Sequence, residues 1–130
     1  MNVPEGFVRV TPYVFVSGAD AYVRFLKAAF GGREIGRSIS PDGRIANCQV
    51  RFDDATIMVS EATRQFPASS AAFYFYVSDA DIAMAQALAA GAENIMEVAN
   101  MPYGDRQGGV RDPFGNIWWI SQRLSDQPYF

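Results

Sequence analysis

The sequence predicts an α+β fold assembled from two βαβββ modules, and three observations carry that expectation. The first is an internal repeat. Val16-Ser17-Gly18-Ala19-Asp20 returns as Val77-Ser78-Asp79-Ala80-Asp81, and Ala28-Ala29 returns as Ala89-Ala90, each 61 positions further on. The second is periodicity: short runs alternate as strands do, and each half switches once to helical spacing. The third is punctuation, with Gly31-Gly32, Pro41-Asp42-Gly43 and Asp112-Pro113-Phe114-Gly115 standing where the pattern breaks. A period this long, present twice, indicates a duplicated supersecondary unit rather than a solenoid.

The elements follow in order. Phe7 to Val16 alternates as a strand, and Pro12, which has no N–H to donate, belongs at an edge or irregularity. From Asp20 a helix is expected, because Tyr22, Phe25, Leu26 and Ala29 share one face and Gly31-Gly32 ends it. Glu34 to Ile39, Arg44 to Phe52 and Ala55 to Ser60 complete the first module, residues 7–61. After a loop, Glu61 to Ser69, the order recurs. Ala72 to Val77 is a strand, and Asp79 starts a helix with Ile82, Ala85, Leu88 and Ala89 expected inward, ended by Gly91. Asn94 to Ala99, Arg106 to Arg111 and Ile117 to Gln122 complete the second module, residues 70–122. Asp112-Pro113-Phe114-Gly115 fits a type I turn. Residues 123–130 form a tail, loose or docked through Tyr129 and Phe130. The whole, residues 1–130, is one domain's worth of chain.

Composition excludes several partners. Net charge is −3 and no basic run occurs, so the counterion release that drives nucleic-acid binding has no source. No apolar run approaches the roughly 18 residues of a membrane span, and the start lacks a signal-peptide pattern, so a cytoplasmic protein is expected. Cys48 is the only cysteine, which rules out an intrachain disulfide. There is no histidine at all, and with it goes the usual near-neutral proton shuttle and commonest transition-metal ligand.

Val10-Thr11-Pro12-Tyr13, Ala28-Ala29-Phe30-Gly31, Pro41-Asp42-Gly43-Arg44, Gly104-Asp105-Arg106 and above all Asp112-Pro113-Phe114-Gly115-Asn116 resemble the vicinal oxygen chelate superfamily. That is the glyoxalase, bleomycin-resistance and extradiol-dioxygenase group, and the strings are most similar to its PhnB-like branch. The likeness runs from about Phe7 to Gln122. It implies a curved mixed sheet around a cleft and a homodimer, with modules paired within a chain or exchanged between chains. In metal-dependent relatives an ion sits inside the sheet, and its ligand positions carry over to Thr11, Met58, Ala72 and Trp119. None is an ordinary ligand for a divalent ion, so no metal and no cofactor is expected. A shift by one residue would bring in Glu61 and Gln122, a single carboxylate and an amide.

The strand period of two sets a mixed face against an apolar one. Thr11, Tyr13 and Phe15, with Met58 and Ser60, should face the cleft, as should Tyr74, Tyr76, Trp119 and Ser121. Val14, Val16, Phe73, Phe75, Ile57, Val59, Trp118 and Ile120 should lie under the helices. Trp119 is open between cleft wall and plain core. Asn47 and Gln49 can hydrogen-bond a ligand, whereas Cys48 points the other way. Arg106 and Arg111 flank Gly108-Gly109, and either could hold a ligand anion or pair with Asp105 or Asp112. The loop Glu61 to Ser69, with Phe66, covers the cleft or merely links the modules. Two functions compete. One is a metal-free protein resembling bleomycin-resistance proteins, binding an aromatic or cationic small organic molecule through Thr11, Tyr13, Asn47, Met58, Tyr74, Tyr76, Arg106 and Trp119. The other is a divalent-metal-dependent lyase, isomerase or thiol transferase.

Overall fold

The computed structural model describes residues 1–130, and the chain divides into two compact units, Met1–Ser69 and Ser70–Phe130. The first contains β1 (Tyr13–Val16), α1 (Ala19–Phe30), β2 (Arg33–Ile39), β3 (Ile45–Phe52) and β4 (Ala55–Glu61). The second contains β5 (Ala72–Tyr76), α2 (Ala80–Ala89), β6 (Glu93–Asn100), β7 (Asp105–Arg111) and β8 (Ile117–Arg123). Each unit carries a four-stranded mixed sheet, ordered β1-β4-β3-β2 and β5-β8-β7-β6. The first and last strands of each module run parallel, and the other pairs are antiparallel. This is the expected α+β architecture of two βαβββ modules. No helix is long and apolar enough to cross a membrane.

One face of each sheet carries the helix and the other is open. Val14, Val16, Cys48, Val50, Ile57 and Val59 are buried beneath α1, and Trp118, Ile120 and Val110 beneath α2. Parity then puts Tyr13, Phe15 and Met58 on the first open face and Tyr74, Tyr76 and Trp119 on the second. The two registers are copies: Tyr13 stands opposite Met58, and 61 residues on Tyr74 stands opposite Trp119.

The helix starts also repeat. Gly18 offers α1 no side chain as a cap; instead the Gly18 and Ala19 N–H groups donate to the Glu61 carboxylate at 2.9 and 3.0 Å. At the matching place in the second module, Ala80 N–H donates to Gln122 Oε1 at 3.0 Å, and Asp79 caps Ile82 N–H. A residue near the end of each module's last strand, Glu61 or Gln122, therefore satisfies orphan N–H groups at the start of its own module's helix. Asp20 and Asp81, one position later in the repeat, each pair with an arginine, Arg37 and Arg106 respectively.

The final turn shows why its residues are what they are. Gly115 N–H donates to the Asp112 carbonyl at 3.0 Å, and Gly115 takes φ 89°, a left-handed conformation open to glycine. The Asp112 carboxylate accepts from the backbone N–H groups of Phe114 and Asn116, and from the Trp118 indole N–H at 3.0 Å. Asn116 Oδ1 accepts from Ala71 N–H at 2.9 Å, tying the turn to the start of β5. One buried carboxylate thus sets both the hairpin and the ring beneath the helix.

Two expectations need correction. The strand predicted from Phe7 begins only at Tyr13, because Pro12 breaks the ladder and contributes only its carbonyl, to Met58 N–H at 3.0 Å. Residues before it are held instead by Arg51 and Thr56, which donate to the Glu5 and Gly6 carbonyls. Helix α2 also faces differently from expectation: Ala80, Met84 and Ala87 are buried, while Ile82 is 67% exposed and Leu88 is at the surface. Below it lie the bulk of Trp118 and the bare Gly108, whose missing Cβ would sit 3.0 Å from Met84 sulfur. Met84 fills that gap, so steric fit outweighs the apolar count.

Candidate functional site

The first open face holds a cavity of about 530 Å³. Its apolar wall is a stack of three rings. Tyr13 and Phe15 lie 4.8 Å apart, nearly parallel, and Phe66 reaches back from the loop after β4 to stack on Phe15 at 5.8 Å. The loop is shaped for this by Thr63, whose side-chain oxygen accepts from Phe66 N–H at 3.0 Å and whose N–H donates to the Phe66 carbonyl. The loop therefore helps to build the site rather than only linking the modules.

Polar groups line the rest. Tyr13 hydroxyl and Ser60 Oγ are 2.6 Å apart, and Ser60 Oγ donates to the Ala46 carbonyl at 2.6 Å. At the rim, the hairpin between β2 and β3 presents Asp42 and Arg44, and the loop presents Arg64. The Asp42 carboxyl is held below its ordinary value, first by the Ser40 hydroxyl and then by the Arg44 backbone N–H. Both signs of charge are thus available around an aromatic floor.

The second open face is filled by its own residues. Trp119 lies over Gly109, where an added Cβ would come within 2.6 Å of the ring. Asp105 is fully buried and accepts from the Tyr74 hydroxyl, from Tyr129 hydroxyl at 2.7 Å and from Arg123 Nη1 at 3.0 Å. Burial raises the Asp105 carboxyl, but the two phenols and the guanidinium outweigh it and hold it below the ordinary value. Burial, followed by that carboxylate, pushes the Tyr74 phenol up, so it is a weak acid rather than a near-neutral base. The tail is docked, with the Tyr129 ring 4.0 Å from the Arg123 guanidinium carbon.

Among the candidate residues, Tyr13 lines the cavity. Met58 is beside it in register, and Asn47 shares the open face of β3. Thr11 lies outside any strand, its hydroxyl donating to the Val8 carbonyl at 2.9 Å. Tyr74, Tyr76 and Trp119 share the second open face. Arg106 must be corrected. It belongs to the helix side of β7, where its guanidinium makes a bidentate pair with Asp81 at 2.7 and 3.0 Å, so it is committed to α2 and not to a ligand. Cys48 is buried and its thiol is pushed up by that burial, consistent with an inert core residue. Arg64 and Arg123 are the residues a strand-by-strand reading misses, and the sequence offers Asp105 only as a partner for Arg106 or Arg111. Arg64 is in a loop, and Asp105 and Arg123 gain their role from each other, from Tyr74 and from the tail.

The residues do not suit the ion that the resemblance implies. The carried-over positions hold Thr11 and Met58 in one module and Ala72 and Trp119 in the other. Glu61, the substitute, spends its carboxylate on the start of α1. No three His, Cys, Asp or Glu side chains come together as a metal-holding group.

Comparison with known proteins agrees with the fold. The sequence profile of the Glyoxalase/Bleomycin resistance protein/Dioxygenase superfamily matches residues 6–120. The uncharacterized protein Rv0887c of Mycobacterium tuberculosis is 30% identical over 128 residues, covering 90% of this chain and 75% of that protein. Among solved structures, TioX from Micromonospora sp. ML1 shares 25% identity with a TM-score of 0.71, covering 88% of this chain and 99% of that one. TnmS3 from Streptomyces sp. CB03234, an antibiotic binding protein, shares 21% with a TM-score of 0.67, covering 89% and 97%.

Proposed function

Since the chain belongs to the Glyoxalase/Bleomycin resistance protein/Dioxygenase superfamily, we propose that it is a metal-independent member that binds a small aromatic molecule. The observation that carries this reading is the cavity on the first open face. About 530 Å³ is within the range of pockets for drug-sized ligands. The ligand's flat part stacks on Tyr13, Phe15 and Phe66, and the Tyr13–Ser60 hydroxyl pair and the charged rim orient its polar groups. Asp42 favours a cationic substituent and Arg64 an anionic one. The donor chemistry supports independence from metal, because thioether, methyl and indole groups replace ligands where relatives hold an ion. TnmS3 lends the fold a precedent for binding without supplying this chain's ligand. In this proposal the protein acts in the cytoplasm as a homodimer, which light scattering would test.

Thermal unfolding of the purified protein tests the reading, with crystal violet as an aromatic cation and anilinonaphthalene sulfonate as an aromatic anion. One of the two raises the melting temperature, EDTA leaves it unchanged, and Phe66→Ala weakens binding by about 0.5–1.5 kcal/mol, the worth of an aromatic contact. Stoichiometric zinc, nickel or iron in protein purified without a tag would instead favour the lyase or isomerase.

A further inference from the structure

The second open face carries a site that the chain itself occupies. Residues after Arg123 form no helix or strand, yet one side chain of this tail is received in detail. Tyr129 donates its hydroxyl to Asp105 at 2.7 Å, its oxygen stands 2.8 Å from the Tyr76 hydroxyl, and its ring lies against the Arg123 guanidinium at 4.0 Å. The receiving groups belong to the sheet: Asp105 starts β7, Arg123 ends β8 and Tyr76 ends β5. The guest does not, and Tyr129 remains 43% exposed. The tail's other ties are few, among them Gln127 carbonyl accepting from Arg123 Nη2 at 2.7 Å and Leu124 N–H donating to the Gly104 carbonyl.

We propose that this face is a binding site for phenols, closed in the free protein by Tyr129 and opened when a phenolic ligand displaces the tail. The chemistry selects that class. A buried carboxylate already neutralised by Arg123 has no need of a further cation, but it retains room for one more O–H donor beside Tyr74. A guanidinium plane above the position of the guest favours an electron-rich ring. A ligand with a ring and no hydroxyl would leave the Tyr76 and Asp105 oxygens without the partner they have now. The inference extends small-molecule binding to the second module but does not rest on the first cavity, since every residue it uses lies beyond Ser70.

The full chain and its Tyr129→Ala variant are titrated with p-cresol and, separately, with toluene, followed by amide and arginine side-chain NMR shifts. A tail that closes the site nine-tenths of the time lowers apparent affinity by about tenfold. The expected result is therefore p-cresol binding about tenfold tighter to Tyr129→Ala than to the unaltered chain. The shifts should fall on β5, β7, β8 and the Arg123 guanidinium, and toluene should bind at least fivefold more weakly. Tyr129→Phe, which retains the ring without the hydroxyl, should lie between the two and serves as the competitor if the alanine variant unfolds. Equal affinities for p-cresol across all three proteins, toluene binding as well as p-cresol, or shifts confined to residues 13–66 would overturn the proposal. The last of these outcomes would leave the first-module reading standing, so failure of one is separable from failure of the other.

Discussion

The two open faces are built on one register and reach opposite ends. Tyr13 opposite Met58 and Tyr74 opposite Trp119 occupy the same places in duplicate sheets, as do Ser60 and Ser121. In the first module the face stays hollow, with Tyr13, Phe15, Ser60 and Phe66 lining a cavity of about 530 Å³. In the second, an indole lies on Gly109 and the tail adds a phenol over Arg123. A duplicated backbone thus specifies where a site can be. The bulk of one or two side chains decides whether it is open.

Disrupting the shared scaffold should have the largest effect. Asp112→Ala removes the acceptor of two backbone N–H groups and the Trp118 indole. It should destabilise the protein by about 3 kcal/mol or more, as expected when several buried donors lose their partner; urea unfolding measures it. The first module has no such turn, so hydrogen exchange in the variant should rise in β5–β8 more than in β1–β4.

Gly109→Ala attacks the filled face directly. Its Cβ cannot coexist with Trp119 at 2.6 Å, and the ring must move. A loss of about 1–3 kcal/mol is expected for such overpacking, together with a shift in tryptophan emission. If stability and emission are both unchanged, Trp119 does not rest on that glycine.

The equivalent caps offer a finer comparison. Glu61→Ala and Gln122→Ala each free a helix start, at about 1 kcal/mol apiece. Glu61→Ala should cost more, because a carboxylate serves two N–H groups of α1 whereas the amide serves one of α2.

Acid separates the modules in another way. In the first, the Arg37 guanidinium, the largest influence, holds the Glu34 carboxyl down to about 2 against burial, with Lys27 assisting. A depressed carboxylate adds stability that is complete above its unfolded value near 4.5 and lost as pH falls toward about 2. In the second, Asp105 is depressed as well, so Tyr129 should loosen in the acid range below its ordinary value of 3.8. The Tyr129 ring resonances of the unaltered chain, followed by NMR from pH 6 downward, would report that release. Smallest of all, Ile82→Ser should change stability by less than about 0.5 kcal/mol, since Ile82 is exposed.

Much of this molecule could be read before it was seen. Turn chemistry and strand alternation are local, so the hairpin at Asp112, the burial of Trp118 and the opposite orientation of Trp119 follow from the order of residues. The 61-residue repeat carried over the register from one module to the other because duplication preserves pairing. Tertiary structure alone decided the rotation of α2, the commitment of Arg106 to Asp81, the loss of Glu61 to a helix cap, and the docking of Tyr129. Each of these depends on which group arrives opposite another from far along the chain. A side chain's partner is chosen by shape and distance after folding, and residue spacing records neither.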